Sequence, residues 1–416
     1  VSGNDREARM SEVIAFDRSK IVDADVFGAV KRNPERYLVE WSRRAPFYVL
    51  VDGRPQAVVN RYEDQKIVYE DFDRFSSAKR RWPGTEMFYY YRGLPVITDN
   101  DPPAQIRLRR LMAPAFSPRK LSQIEAGVRA FIAERIDRIA ATGGRFDAVA
   151  DLSHPLAARV LLGFCLDLPE EDWPIFVRIA KGMAAFGVMK PGAATPQEYL
   201  DAWEAGRAYC ERLIDSRRRE PRDDVVSNIV AACDKESRIS TEEMFATMLV
   251  LYTAGFGGVT NTPAYALWRL CRDPEQLAAL RADPALLPGA VAEAVRMDTN
   301  AWTTLRWATR DFEFEGLDFF DGMPIHLICA APNYDPTLVP DPGRFDITRK
   351  PGDLVSFGHG VHHCIGLGLA KMTSRIALAA VVERFPNLRL ADPEFQPEVT
   401  GGPKERGIKS VPLRID

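Results

Sequence analysis

The sequence has little that would bind it to a polyanion or a membrane. Its 55 lysines and arginines nearly balance 58 aspartates and glutamates, for a net charge of −3 over 416 residues. That balance gives no case for nucleic acid or an anionic membrane surface. No run approaches 18 apolar residues, so no transmembrane helix is expected. The start, Val1-Ser2-Gly3-Asn4-Asp5-Arg6-Glu7, is polar and has no apolar signal-peptide core. The six cysteines (Cys165, Cys210, Cys233, Cys271, Cys329, Cys364) show no paired spacing. That suits a reducing cytosol better than a disulfide framework, so a soluble, cytoplasmic chain is expected. Internal repeats and low-complexity tracts are absent. At 46% apolar, the chain can bury a large core, as one big domain or two to three ordinary ones.

What is present centres on Phe357-Gly358-His359-Gly360-Val361-His362-His363-Cys364-Ile365-Gly366-Leu367-Gly368. The apolar run after it, Ile365 to Val382, reads as a helix. Cys364 therefore stands at or just before a helix N-terminus, where unpaired N–H groups and the dipole favour a thiolate. A soft thiolate is a ligand for iron, copper or zinc. The glycines would let a flat ligand lie against the loop. Three other readings stand beside this one: a small buried hydrophobe, a zinc site with the nearby histidines, and a Cys/His nucleophile. There is no CxxCH, so covalent c-type haem is not indicated.

A second unusual stretch lies in a long helix expected from about Ser240 to Cys271. Its centre reads Tyr252-Thr253-Ala254-Gly255-Phe256-Gly257-Gly258-Val259-Thr260-Asn261-Thr262-Pro263. Interior glycine costs a helix about 1 kcal/mol each and proline about 3. So poor a helix sequence implies that something approaches the backbone closely, either a ligand or a neighbouring helix. Other elements follow from pattern. Residues 17–45 read as helix, and 47–51 with 57–59 as a β-hairpin across Asp52-Gly53. A helix is expected at about 61–70. Residues 80–104 read as a loop-rich segment holding Phe88. Helix follows helix from 121 to 235, and strands fall near 302–311, 312–315 and 324–330. Gly182 to Ala194 reads as a lid or a plain connector.

The spacing Phe357, Gly360, His362, Cys364, Gly366 resembles the haem-ligand loop of cytochrome P450. The resemblance extends over nearly the whole chain. It implies a mainly α fold with a small β-rich part, a single domain over 1–416 and no fused reductase. Haem b would lie between the central helix and the cysteine loop, with Cys364 as the axial ligand. His362, Arg109 and Arg306 match residues that hold the haem propionates; Gln105 stands where the family has a histidine. Glu293 and Arg296 match a structural ExxR pair whose third member is expected at Arg344. Phe88, Ala254, Gly258, Trp302, Thr303 and Thr400 fall at positions that border substrate. The activity implied is oxygen insertion into a small or medium hydrophobic molecule, by hydroxylation or dealkylation. Dioxygen would be the oxidant, with electrons from an external ferredoxin and ferredoxin reductase. Arg107, Arg110, Arg119 and Lys120 could form a cationic face for that donor, or simply a solvated one. There is one departure. The family's acid–threonine pair on the central helix, next to Ala254 and Gly255, is here Gly257-Gly258. Glycine relays no proton. Substrate or water would have to do so, or peroxide would bypass the step, or the iron would serve other chemistry, or the chain would be a non-catalytic haem binder.

Overall fold

The computed structural model describes residues 15–79, 82, 85, 91–187, 195–236, 240–350, 352 and 355–416. The N-terminal region differs from the single helix expected over 17–45. It forms a 3-10 turn, Arg18–Lys20, and two short helices, Ala29–Arg32 and Pro34–Trp41. The break is at Asn33, which precedes a proline and is pushed out of the helical region, with φ −128 and ψ 64. Proline then suits the first position of the next helix.

Phe47–Val51 and Arg54–Val59 pair antiparallel, and Asp52 and Gly53 both take positive φ at the turn. Two such residues match the twist of the flanking strands. Arg54–Val59 runs parallel to Pro324–Ile328, which pairs antiparallel with Thr303–Ala308; Phe75–Ser76 closes the sheet. This sheet holds Arg306, opposite Ile325.

The rest is mostly helical. Thr241–Arg272 is the longest helix. Ser240 caps it, exchanging hydrogen bonds with Glu243 in a capping box. Its poor central sequence is carried by burial: Tyr252, Val259, Ala264, Tyr265 and Leu267 all sit in the largest core cluster. It packs on Leu287–Met297 and on Leu367–Arg384, the helix that follows the cysteine loop.

Ala148–Cys165 is long and apolar enough to cross a membrane by length and composition alone, and 56% of it is buried in the fold, as a core helix would be. Gly182–Gly187 ends the helix Trp173–Gly187. The remainder of the stretch read as a lid or connector falls mainly outside the described residues.

Candidate active site

The cysteine loop is held by its own backbone. A 3-10 turn spans Gly360–His362, and Gly366 is the N-cap of Leu367–Arg384. Cys364 N–H donates to the Phe357 carbonyl at 2.8 Å. Gly358 takes φ +74, and a Cβ there would stand 3.3 Å from the His362 carbonyl oxygen. Burial pushes the Cys364 thiol up. The backbone N–H groups of Gly366 and Leu367, with the Arg109 charge, pull the other way. Those donors are arranged for an anion on sulfur.

One edge of this loop gathers donors. Arg306 is 1% exposed, and its Nη1 donates to the Leu305 carbonyl at 3.0 Å. Its Nε and Nη2 have no partner among the described residues, and its guanidinium lies 5.1 Å from the Tyr69 ring centre. Burial lowers its pKa. A buried cation with two unfilled donors is costly alone and suits a bidentate carboxylate. Gln105 Nε2 and Arg109 Nη1 both donate to the Val361 carbonyl, at 2.7 and 3.3 Å. The buried Gln105 Oε1 is unfilled. His362 Nε2 lies 3.0 Å from Ser77 Oγ. Burial, then the charges of Arg306 and Arg109, push His362 down to about 3. The structure therefore brings Gln105, Arg109, Arg306 and His362 toward the cysteine loop. The unfilled donors fit haem propionates on this edge.

The rival readings of Cys364 fare differently. Among the described residues no group of three or more His, Cys, Asp and Glu could hold a metal ion. That leaves zinc without a ligand set. His362 is engaged by Ser77 and by the Asn100 backbone, so it is not poised as a base for the sulfur.

On the central helix, Ala254 is exposed although it sits mid-helix. A Cβ at Gly258 would meet nothing within 4 Å. Ala254 and Gly258 are four residues apart, so they share this open face. A Cβ at Gly257, by contrast, would lie 2.8 Å from Asn300 Oδ1 and 2.9 Å from Nδ2. Thr260 and Thr262 are 2% and 9% exposed, both buried.

The expected pocket walls are only partly in place. Trp302 is 0% exposed, donates Nε1–H to the Val26 carbonyl at 2.9 Å, and packs with Leu38 and Trp41. This corrects its assignment to the pocket: the large ring completes the N-terminal core. Thr303 is buried too, with Oγ1 donating to the Pro403 carbonyl at 3.1 Å. Thr400 is half-buried in Val399–Thr400, opposite Gly407. Phe88 lies outside the described residues.

Glu293 and Arg296 form a buried pair, at 2.8 and 2.7 Å. Arg296 also donates to the carbonyls of Asn333, Pro342 and Arg344. The third side chain is Arg349, 3.2 Å from Glu293, and not Arg344. Arg344 gives only its backbone oxygen, a role that no side-chain pattern reveals. Of the expected cationic face, Arg107 pairs with Glu243 and Lys120 with Asp223. Arg110 and Arg119 are exposed.

The helix after the cysteine loop packs on the long central helix, and buried Arg306 and half-buried Arg109 stand at the loop's edge, an arrangement that fits a haem-binding site. The family model described as Cytochrome P450 matches residues 27–400. Mycinamicin IV hydroxylase/epoxidase of Micromonospora griseorubida is 34% identical over 370 residues, covering 87% of this chain and 90% of that protein. 6-deoxyerythronolide B hydroxylase of Saccharopolyspora erythraea is 32% identical, covering 88% and 91%. Among solved structures, CalO2 superposes with a TM-score of 0.83 at 28% identity, covering 95% of this chain and 99% of that one. P450BioI in complex with an acyl carrier protein superposes at 0.82 with 26% identity, covering 92% and 99%. The chain belongs to the cytochrome P450 family. It has the P450 fold and is a monooxygenase-class oxidoreductase that uses a haem-iron cofactor.

Proposed function

We propose that the chain holds haem b through the Cys364 thiolate and inserts oxygen into a small or medium hydrophobic molecule. The observation that carries the reading is the buried Arg306 guanidinium near the loop that bears Cys364, whose Nε and Nη2 have no acceptor among the described residues. Arg306, Arg109, Gln105 and His362 would hold the propionates. Gly366 and Leu367 would donate N–H to the sulfur. When bound, the haem supplies oxygen activation, tuned by its thiolate ligand. The protein's own share is to bind, orient and exclude water. Ala254 and Gly258 leave room for substrate on the open face of the central helix. Hydroxylation is favoured by the relatives' printed activities, hydroxylase and epoxidase.

The reading includes a P450 domain that acts in a cytoplasmic setting. Electrons would come from a separate ferredoxin and ferredoxin reductase, with Arg110 and Arg119 as exposed cations for docking. A second reading is favoured by Gly257 and Gly258, which offer neither acid nor hydroxyl: peroxide-driven oxidation, or chemistry other than oxygen insertion. The two are separated by supplying ferredoxin, reductase and NAD(P)H to one sample and hydrogen peroxide to another. Turnover with the electron-transfer chain alone supports the first. Turnover with peroxide alone overturns it in favour of the second.

A further inference from the structure

The contact between Gly257 and Asn300 has a consequence for the missing acid. Asn300 follows the helix Leu287–Met297 and precedes the strand Thr303–Ala308. Its backbone is fixed from the far side, where Arg406 N–H donates to the Asn300 carbonyl at 2.8 Å. Its side chain occupies the volume that any side chain on residue 257 would enter first, with Oδ1 and Nδ2 both within 3 Å of an ideal Cβ. A polar amide therefore stands where the family carries its acid.

The orientation of that amide is determined. Ile408 N–H donates to Asn261 Oδ1 at 3.3 Å. An amide that accepts on oxygen presents its nitrogen elsewhere, and Asn261 Nδ2 donates to Asn300 Oδ1 at 2.5 Å. Asn300 Oδ1 is thus an acceptor that is already used. Its Nδ2 keeps two N–H bonds, with no protein acceptor among the described residues. A backbone group sets Asn261, and Asn261 sets Asn300. Asn300 itself is only half-buried, so water can reach it.

We infer that Asn300 is a positioning residue: its amide N–H holds ordered water beside Gly257 and Gly258, supplying from a loop the hydrogen-bond donor that the central helix lacks. An amide donates a hydrogen bond and yields no proton. Proton movement on this side then runs through water that Asn300 orders, or through substrate. The inference rests on the haem reading above and deepens it.

The test uses the holoprotein with Asn300→Ala and the near-isosteric Asn300→Asp. Haem content is measured first. The infrared stretch of the reduced carbon monoxide complex then reports polarity on the oxygen side. Both variants are expected to move it to higher frequency, since each removes the N–H donor. With ferredoxin, reductase and NAD(P)H, Asn300→Ala is expected to release about tenfold more peroxide per product, the effect of one lost hydrogen bond. In Asn300→Asp that leak should become pH-dependent, as a carboxylate replaces the amide. A stretch unchanged in both variants, at normal haem content, overturns the inference and leaves the haem reading intact. Wild-type protein that takes up no haem refutes both. Should Asn300→Ala fold poorly, Asn300→Asp decides alone.

Discussion

Alanine at two adjacent glycines gives a sharp test of the oxygen-side packing. Gly257→Ala and Gly258→Ala each add one methyl group to the same helix. Each should gain about 1 kcal/mol in helix propensity. They differ in what the methyl meets. At residue 258 there is open space for 4 Å, so the gain should appear nearly whole. At residue 257 the methyl would stand 2.8 Å from Asn300 Oδ1, 2.9 Å from Nδ2 and 3.3 Å from Cγ. No real Cβ contact persists below 3 Å, so Asn300 must move and strain its bond with Asn261. Overpacking of this kind costs about 1–3 kcal/mol. Gly258→Ala should therefore be stabilised, and Gly257→Ala neutral to destabilised by about 2 kcal/mol. Shrinking the neighbour should abolish the difference: in an Asn300→Ala background the two alanines should behave alike, a coupling of about 1–3 kcal/mol. Urea denaturation of the apoprotein, read as a change in midpoint at constant slope, measures all of it. Equal stability of Gly257→Ala and Gly258→Ala, or no coupling to Asn300, would refute the packing described.

Arg306→Leu removes a buried cation that has two unfilled donors. The apoprotein should be no less stable than wild type in denaturant, while haem affinity falls roughly 10- to 100-fold, as expected for losing charged hydrogen bonds; a loss of apoprotein stability with unchanged haem affinity would reverse the assignment. Glu293→Ala strands buried Arg296 without its carboxylate, and should cost about 3–5 kcal/mol, seen as loss of soluble, haem-loaded protein. Arg349→Ala should cost much less, because Arg349 is only partly buried and Arg296 keeps Glu293. Burial holds His326 at about 3, against an ordinary value of 6.5. Between those values the unfolded chain binds a proton that the folded one does not, so this stability is present above 6.5 and is lost as pH falls toward 3. His326→Gln should flatten that part of a stability–pH curve; an unchanged slope would count against it.

The central helix was legible in the sequence because its cap and its anomalies are local. Ser240 with Glu243 marks its start, and the glycines mark its thin middle. Arg306, Gln105 and Arg109 were legible through the family resemblance, and the meeting of Gln105 and Arg109 at the Val361 carbonyl is what the fold adds. Other features are tertiary. Asn300 reaches Gly257 from another element, and no period in the chain links them. Arg349, not Arg344, completes the Glu293–Arg296 pair because the loop folds so that Arg344 turns its carbonyl inward. Trp302 has the look of a pocket wall only until the N-terminal helices supply a core for it. The break at Asn33–Pro34 was readable, since the proline itself dictates it; the apolar spacing around it concealed the stop.

The central claim is that the sulfur of Cys364 is bonded as a thiolate to haem iron. It is tested most directly by the absorbance of the reduced carbon monoxide complex, in wild type and in Cys364→Ser. The account predicts the long-wavelength thiolate-type band in wild type and its loss in the variant. Colourless wild-type protein, or a band that survives the serine, would contradict it.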